Sequence, residues 1–102
     1  MVMTMTHPSA QEDQEWRSLM MAAQTGEAGS YARLIGAVTP FLRSVALRRL
    51  GKVRNAERAA QQALVTAYSR RRAYDPARPI GPWLKDIVDA EAQQFKIGAA
   101  AR

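Results

Sequence analysis

The chain lacks cysteine altogether and has one histidine, His7, among its 102 residues. Without thiols it cannot form disulfides or thiolate metal sites, and a lone imidazole does not supply the several ligands that a bound metal needs. We therefore expect no metal and no other cofactor. The absence of cysteine also favours a reducing, cytoplasmic location.

Long apolar runs and catalytic groups are missing as well. No stretch approaches the roughly 18 apolar residues of a membrane span, and no secretory signal pattern opens the chain, so no membrane partner is expected. Asp86, Asp89 and Glu91 could be read as a carboxylate pair, but no nucleophile, histidine base or glycine-rich phosphate loop accompanies them. The chain is therefore predicted not to be an enzyme.

Acidic residues are scarce in the middle of the chain, where positive charge accumulates. Residues 43–72 contain nine Lys or Arg against one acid, Glu57, and the whole chain has a formal charge of +6. The first thirty residues contain four acids and one base. This asymmetry indicates a polyanion or an acidic protein surface as partner for the middle of the chain. The alternative is a solvated basic face that binds nothing.

Apolar residues recur at spacings of three and four, which is typical of amphipathic helices and not of β-strands. Although 47% of the residues are apolar, many are alanine, so one modest core is expected. The fold class is predicted to be all-α, a compact bundle of four helices. The helices are predicted over residues 12–24, 28–50, 56–72 and 82–96, in a domain of residues 12–96 with a flexible leader, 1–11, and a tail, 97–102.

Local signals place the helix ends. The apolar pattern stays in phase across Pro40, so the second helix is predicted to kink there without breaking and to end at Gly51. Asn55 is predicted to cap the third helix. Small residues that permit close helix approach form its inner stripe: Ala56, Ala60, Ala63, Leu64 and Ala67. The large core residues are expected to be Trp16, Leu19, Leu34, Ile35, Phe41, Leu42, Leu50, Leu64, Trp83, Leu84 and Ile87.

The loop before the fourth helix holds three of the five prolines, Pro76, Pro79 and Pro82. Each proline fixes its own φ and favours extended geometry in the preceding residue, so the loop should be stiff. Gly81 is predicted as the N-cap of the fourth helix, with Pro82 at its first position. Trp83 is expected in the core, with a stacking platform for a ligand as the alternative.

Four stretches of the sequence follow one another in a characteristic order: 19–27, 40–51, 55–64 and 74–84. Together they resemble the bacterial sigma-70 family in its region 2, and the small extracytoplasmic-function (ECF) sigma factors most. Residues 19–27 resemble the family's opening helix and its turn, and residues 40–51 its proline-containing second helix ending in Leu-Gly. Residues 55–64 stand where the family has an Asp-Ala-Glu-Asp-x-x-Gln-Glu motif. Residues 74–84 are similar to its aromatic-Asp-Pro…Trp-Leu segment.

The resemblance implies that the loop and fourth helix open promoter DNA at the −10 element. In the family this loop helps to hold a base flipped out of the −10 strand, which makes Tyr74, Asp75 and Arg78 candidate contacts. The alternative is that Tyr74 packs on Trp83 while Asp75 and Pro76 form a turn. Phosphate or strand contacts are further expected from Arg70, Arg71, Arg72 and Lys85, although one such arginine could simply cap the third helix.

The resemblance also implies that the third helix docks on the RNA polymerase core. The docking residues would be Asn55, Glu57, Arg58, Gln61 and Gln62. Three of them, Asn55, Arg58 and Gln62, replace carboxylates of the family motif, and an arginine opposite a basic partner turns attraction into repulsion. The acids at positions 86, 89 and 91 of the fourth helix are a second departure from the family, because they would repel the phosphates of DNA.

These departures leave three interpretations open. The chain acts as a sigma region 2 domain, or as a sigma-like interaction domain that has lost polymerase binding and engages an anti-sigma factor or another regulator. In the third interpretation it shares only the fold. ECF factors carry a second domain for the −35 element and none follows Arg102, so the chain is expected to be either a fragment or a protein that functions alone.

Overall fold

A computed structural model describes residues 8–100 of the chain. Its elements are α1 (Ala10–Gln24), α2 (Ala28–Leu50), α3 (Val53–Ser69), a short 3₁₀ helix (Arg71–Ala73) and α4 (Ile80–Ala100). Within this part of the chain there is no β-strand, so the prediction of an all-α bundle is confirmed. Residues 1–7 of the predicted leader, with His7, and residues 101–102 of the predicted tail lie outside the described residues.

A capping box that the sequence analysis missed starts α1 at Ala10, two residues before the predicted start. The Ser9 hydroxyl accepts a hydrogen bond from the Glu12 amide at 3.1 Å, and the Glu12 carboxylate accepts one from the Ser9 amide at 3.0 Å. Each side chain satisfies an amide that the first helical turn leaves unpaired.

Helix α2 has the predicted bounds and runs without interruption through Pro40. Gly51 ends it as predicted. Its φ of 73° lies in the left-handed region, which glycine adopts without steric cost, and its amide donates to the Leu47 carbonyl at 2.8 Å.

Helix α3 begins at Val53 and ends at Ser69, so both predicted ends were wrong. Asn55 lies inside the first turn and is not the N-cap, because the extended backbone of Lys52 already brings its carbonyl to the Ala56 amide at 2.9 Å. At the other end, the Arg70 amide donates to the Thr66 carbonyl at 3.0 Å and closes the helix. The following residues form the 3₁₀ helix instead of another α-helical turn.

Helix α4 begins at Ile80, two residues before the predicted start, and continues past the predicted end at residue 96. Gly81 is therefore inside the first turn and is not the N-cap. Its amide donates to an Asp13 carboxylate oxygen at 2.9 Å, so a side chain of α1 performs the capping. A Cβ atom at Gly81 would lie 2.8 Å from the Pro8 ring, which explains glycine at this position.

The core lies around α2, which packs against the other three helices. The rings of Trp16 in α1 and Phe41 in α2 meet at 5.6 Å between centroids. Most of the large residues expected in the core are buried, whereas Leu19, Ile35, Leu50, Leu64 and Trp83 are only partly buried. Tyr74 and Ile80, at the two ends of the proline-rich loop, also belong to the core, although neither was among the large core residues expected from the sequence.

The buried face of α3 consists of alanines that are at most 2% exposed. They are Ala56, Ala59, Ala60, Ala63 and Ala67. The predicted stripe omitted Ala59 and included Leu64, which is only partly buried. Because alanine projects little beyond the backbone, this face allows α3 to approach α2 and α4 closely.

A larger side chain on this face should therefore destabilise the fold. We expect Ala63→Leu to lower the free energy of unfolding by about 1–3 kcal/mol, because the added atoms have no space between the helices. Urea denaturation measures the change. Gln61→Leu, at an exposed position of the same helix, is the control and should have little effect. Equal stability of the two variants would show that the interface is not closely packed.

Candidate functional site

The loop between α3 and α4 contains a tight turn. The Arg78 amide donates to the Asp75 carbonyl at 3.0 Å, and one Asp75 carboxylate oxygen accepts from the Ala77 amide at 2.9 Å. Pro76 at the second position fixes the φ angle that such a turn needs. The Asp75 and Arg78 side chains are 58% and 82% exposed, with 3.8 Å between their charged atoms. Asp75 thus builds the turn, and both charged groups still face solvent.

Tyr74 occupies an inward position and is only 3% exposed. Its ring lies 5.1 Å from that of Trp83, and its hydroxyl donates to the Arg78 carbonyl. Burial raises the pKa of Tyr74 to about 12. The ring therefore supports the loop from inside and has no free face for a base, which corresponds to the alternative considered for Tyr74 in the sequence.

An open pocket of about 390 Å³ lies between the loop and the start of α4. Its lining includes Tyr74, Asp75, Arg78, Pro82, Trp83 and Asp86. Trp83 is half-buried, so it both contacts the core and forms part of the pocket wall. The pocket combines an aromatic surface, hydrogen-bond-accepting carboxylates and one guanidinium, a set that suits a flat polar ligand.

The three consecutive arginines have different environments. Arg70 and Arg72 are exposed, whereas Arg71 is half-buried. The Arg71 guanidinium lies 4.1 Å from the Tyr68 ring centroid and donates to the Tyr68 carbonyl at 3.0 Å. Arg70 and Arg72 are therefore the two of these three arginines whose side chains are free of such contacts with Tyr68 and exposed to solvent.

The charged groups of α4 are mostly engaged within the protein. Lys85, a candidate DNA contact, forms an ion pair with Asp89 at 2.8 Å. Glu91 accepts a hydrogen bond from the Thr66 hydroxyl at 3.1 Å. Of the three acids expected to repel phosphates, only Asp86 lines the pocket.

Side chains of α1 hold the loop in place through its backbone. The Gln24 amide donates to the carbonyls of Arg71 and Tyr74, both at 2.8 Å. Arg17 forms an ion pair with Asp13 at 3.2 Å and donates to the Pro76 carbonyl at 3.4 Å. These contacts were not predicted, because no local pattern signals contacts between residues about 50 or more positions apart.

The candidate docking residues lie on α3. Glu57, the only acidic residue of this helix, forms an ion pair with Arg43 of α2 at 2.5 Å. The Arg58 guanidinium lies 5.8 Å from the Phe95 ring centroid. Arg58, Gln61 and Gln62 are exposed, and Asn55 is half-buried. The exposed side of α3 is thus neutral or positive where the family motif is acidic.

The four helices and the loop before the last of them define a small all-α domain. A family model for sigma-70 region 2 matches residues 34–96, more than half of the chain, and the chain therefore belongs to the sigma-70 region 2 family. Domains of this family serve transcription initiation as non-enzymatic parts of sigma factors. No curated protein and no solved structure gives a significant match.

No helix within residues 8–100 is both long and apolar enough to span a bilayer. The same range contains no group of three or more His, Asp or Glu side chains arranged to hold a metal ion.

Replacing Gln24 should loosen the loop. In Gln24→Met, the carbonyls of Arg71 and Tyr74 lose their common donor, and we expect a loss of about 1–3 kcal/mol in the free energy of unfolding. Faster amide hydrogen exchange in residues 71–78 should accompany it. Gln14→Met, at an exposed position of the same helix, should change neither quantity. Unchanged exchange in Gln24→Met would contradict the assigned role.

Proposed function

We propose that the chain is the region 2 domain of an ECF-type sigma factor, which binds the polymerase core and the single-stranded −10 element of a promoter. The main support for promoter binding is the open pocket beside the loop, which α1 holds in place and which exposed arginines flank. Its size and its mixture of aromatic and polar groups suit an unpaired base.

In this proposal each group of the pocket has a distinct role. Trp83 offers its exposed edge to the base, while Asp75 and Asp86 accept hydrogen bonds from the exocyclic amino groups that distinguish bases. Arg78, at the rim, contacts the base edge or the adjacent phosphate. Tyr74 acts indirectly, since its buried ring supports Trp83 and its hydroxyl fixes the Arg78 carbonyl.

The phosphates of the strand would be bound by the cations beside the pocket. Arg70 and Arg72 are the principal candidates because both are exposed. Arg71 contributes charge while its guanidinium stays over Tyr68. Lys85 can bind a phosphate only if its ammonium group also keeps Asp89 as a partner or gives up that ion pair.

Docking on the polymerase core would use the exposed side of α3, with Asn55, Arg58, Gln61 and Gln62 at the surface and Glu57 shared with Arg43. This part of the proposal rests on family membership. The structural support for core docking is weaker than the support for strand binding, because Glu57, the single carboxylate of α3, is already paired with Arg43.

That same observation supports a second candidate function. In it, the domain keeps the sigma fold but has exchanged polymerase affinity for binding of an anti-sigma factor or another regulator. Arg58 and the paired Glu57 are the features that favour it, since both remove negative charge from the surface of α3.

Binding measurements at two salt concentrations test the proposal. Titration of the chain against bacterial core polymerase and against a short single-stranded oligonucleotide with a −10-like sequence should give binding in both cases. A scrambled oligonucleotide should bind more weakly. Absence of binding to both targets, together with capture of an anti-sigma domain, would favour the second candidate function.

Removing the exposed arginines should flatten the salt dependence of oligonucleotide binding. Each phosphate contact on a single strand contributes about 0.7 to the slope of log K against log salt. Arg70→Ala combined with Arg72→Ala should therefore lower the slope by roughly 1.4. Arg33→Ala on α2 removes an exposed arginine outside the loop and should leave the slope unchanged. An identical slope in all three proteins would remove Arg70 and Arg72 from the site.

A charge reversal on α3 tests core docking. If α3 faces a basic surface of the polymerase, Arg58→Asp should strengthen core binding by about tenfold or more, because repulsion becomes attraction. Affinity can be followed by fluorescence anisotropy of the labelled domain. Unchanged or weaker binding would show that this helix is not the docking face.

A further inference from the structure

The exposed side of α3 carries two apolar side chains that the fold leaves partly in solvent. Val65 is 61% exposed and Tyr68 is 45% exposed. They continue a row of surface residues at helical spacing that begins with Arg58 and Gln61, and we call these four residues the α3 face. An exposed valine and tyrosine side by side on one helix face are typical of a contact surface.

The α3 face borders an apolar groove of about 260 Å³ between α2 and α3. Tyr31, Ile35, Leu64, Val65 and Tyr68 line it. Its walls are fixed before any partner binds. The Tyr31 hydroxyl donates to the Leu64 carbonyl at 2.5 Å, and the rings of Tyr31 and Tyr68 meet edge to face at 4.8 Å.

Two guanidinium groups flank the groove. Arg71 lies over the Tyr68 ring at 4.1 Å, and Arg58 stands at the other end of the α3 face. Glu57, the only carboxylate of α3, is paired with Arg43, and Glu27, one turn before Tyr31, accepts a hydrogen bond from the Ser30 hydroxyl at 3.3 Å. A partner seated here meets apolar side chains in the middle and guanidinium groups at both ends.

We propose that this surface docks an acidic amphipathic helix of a partner protein. An amphipathic helix lays an apolar row into a groove of this kind, and flanking carboxylates would complement Arg58 and Arg71. A nucleic acid strand fits less well, because the lining of the groove is apolar. The inference rests on the second candidate function and names the chemistry of the regulator.

A designed peptide provides the probe. It has eighteen residues, with leucines at spacings of three and four on one side and glutamates flanking them, and it carries a fluorophore for anisotropy measurements. Two matched peptides serve as controls, one with lysine in place of every glutamate and one with the same composition in scrambled order. We expect only the acidic amphipathic peptide to bind appreciably.

Variants of the domain locate the binding. Arg58→Asp and Val65→Asp should each weaken binding of the acidic peptide by about tenfold, the first through charge and the second through the apolar contact. Both positions are exposed, and circular dichroism verifies that each variant is folded. Arg33→Asp is the control and makes the same charge change on α2. Because Arg33 is two positions from both Tyr31 and Ile35, it lies on a different side of that helix from the groove. It should therefore alter the affinity less than twofold.

The results separate this inference from the promoter proposal. Three outcomes would each overturn the docking inference. The first is equal weakening by all three substitutions, and the second is equal binding of the lysine or the scrambled peptide. The third is loss of peptide binding in Arg70→Ala/Arg72→Ala but not in Arg58→Asp. Unchanged binding of the −10-like oligonucleotide by Arg58→Asp would support two separate surfaces. Failure of the unmodified domain to bind that oligonucleotide would overturn the promoter proposal alone.

Discussion

The geometry of the proline-rich loop depends on hydrogen bonds that the loop cannot make by itself. Its prolines have no amide hydrogen, so several carbonyls need donors from elsewhere in the protein. Gln24 and Arg17 supply them from α1, while Asp13 accepts from the Gly81 amide and caps α4. The shape of the pocket is therefore a joint property of the loop and of α1.

Burial inside the loop complements these polar contacts. Tyr74 and Ile80 direct their side chains into the core at the two ends of the loop and fasten it on its inner side. Charged groups such as Asp75 and Arg78 then remain on the outer side. A loop fixed by both its backbone and its apolar side chains can present polar groups to a ligand with little entropic cost of ordering. This arrangement suits the proposed capture of an unpaired base.

The two surfaces of the domain differ in their physical character. The pocket by the loop combines carboxylates, an aromatic ring and one guanidinium, whereas the groove beside the α3 face is lined by apolar and aromatic side chains and has Arg58 and Arg71 near its ends. Membership of the sigma-70 region 2 family accounts for the fold that holds both. The surface of α3 carries little free negative charge, since its only carboxylate is paired with Arg43.

Predictions from sequence succeeded where the cause was local or periodic. Helix α2 was placed correctly because its apolar residues keep helical spacing across Pro40. Its end was also clear, because Gly51 has the left-handed φ angle that only glycine adopts without steric cost. The start of α3 was misplaced because Asn55 is a good cap in isolation, while the backbone at Lys52 allowed the helix to begin earlier. The capping box at Ser9 was visible in the sequence and was overlooked.

Composition, residue spacing and the order of the motifs were enough to predict the helical class, the small core, the surplus of positive charge and the likeness to region 2. Which candidates face solvent depends instead on how the helices pack. Packing turns Tyr74 inward, leaves Arg70 and Arg72 exposed, pairs Glu57 with Arg43, and brings Gln24 to carbonyls 47 and 50 residues away. Contacts at such separations depend on how whole helices pack, and no local pattern encodes them.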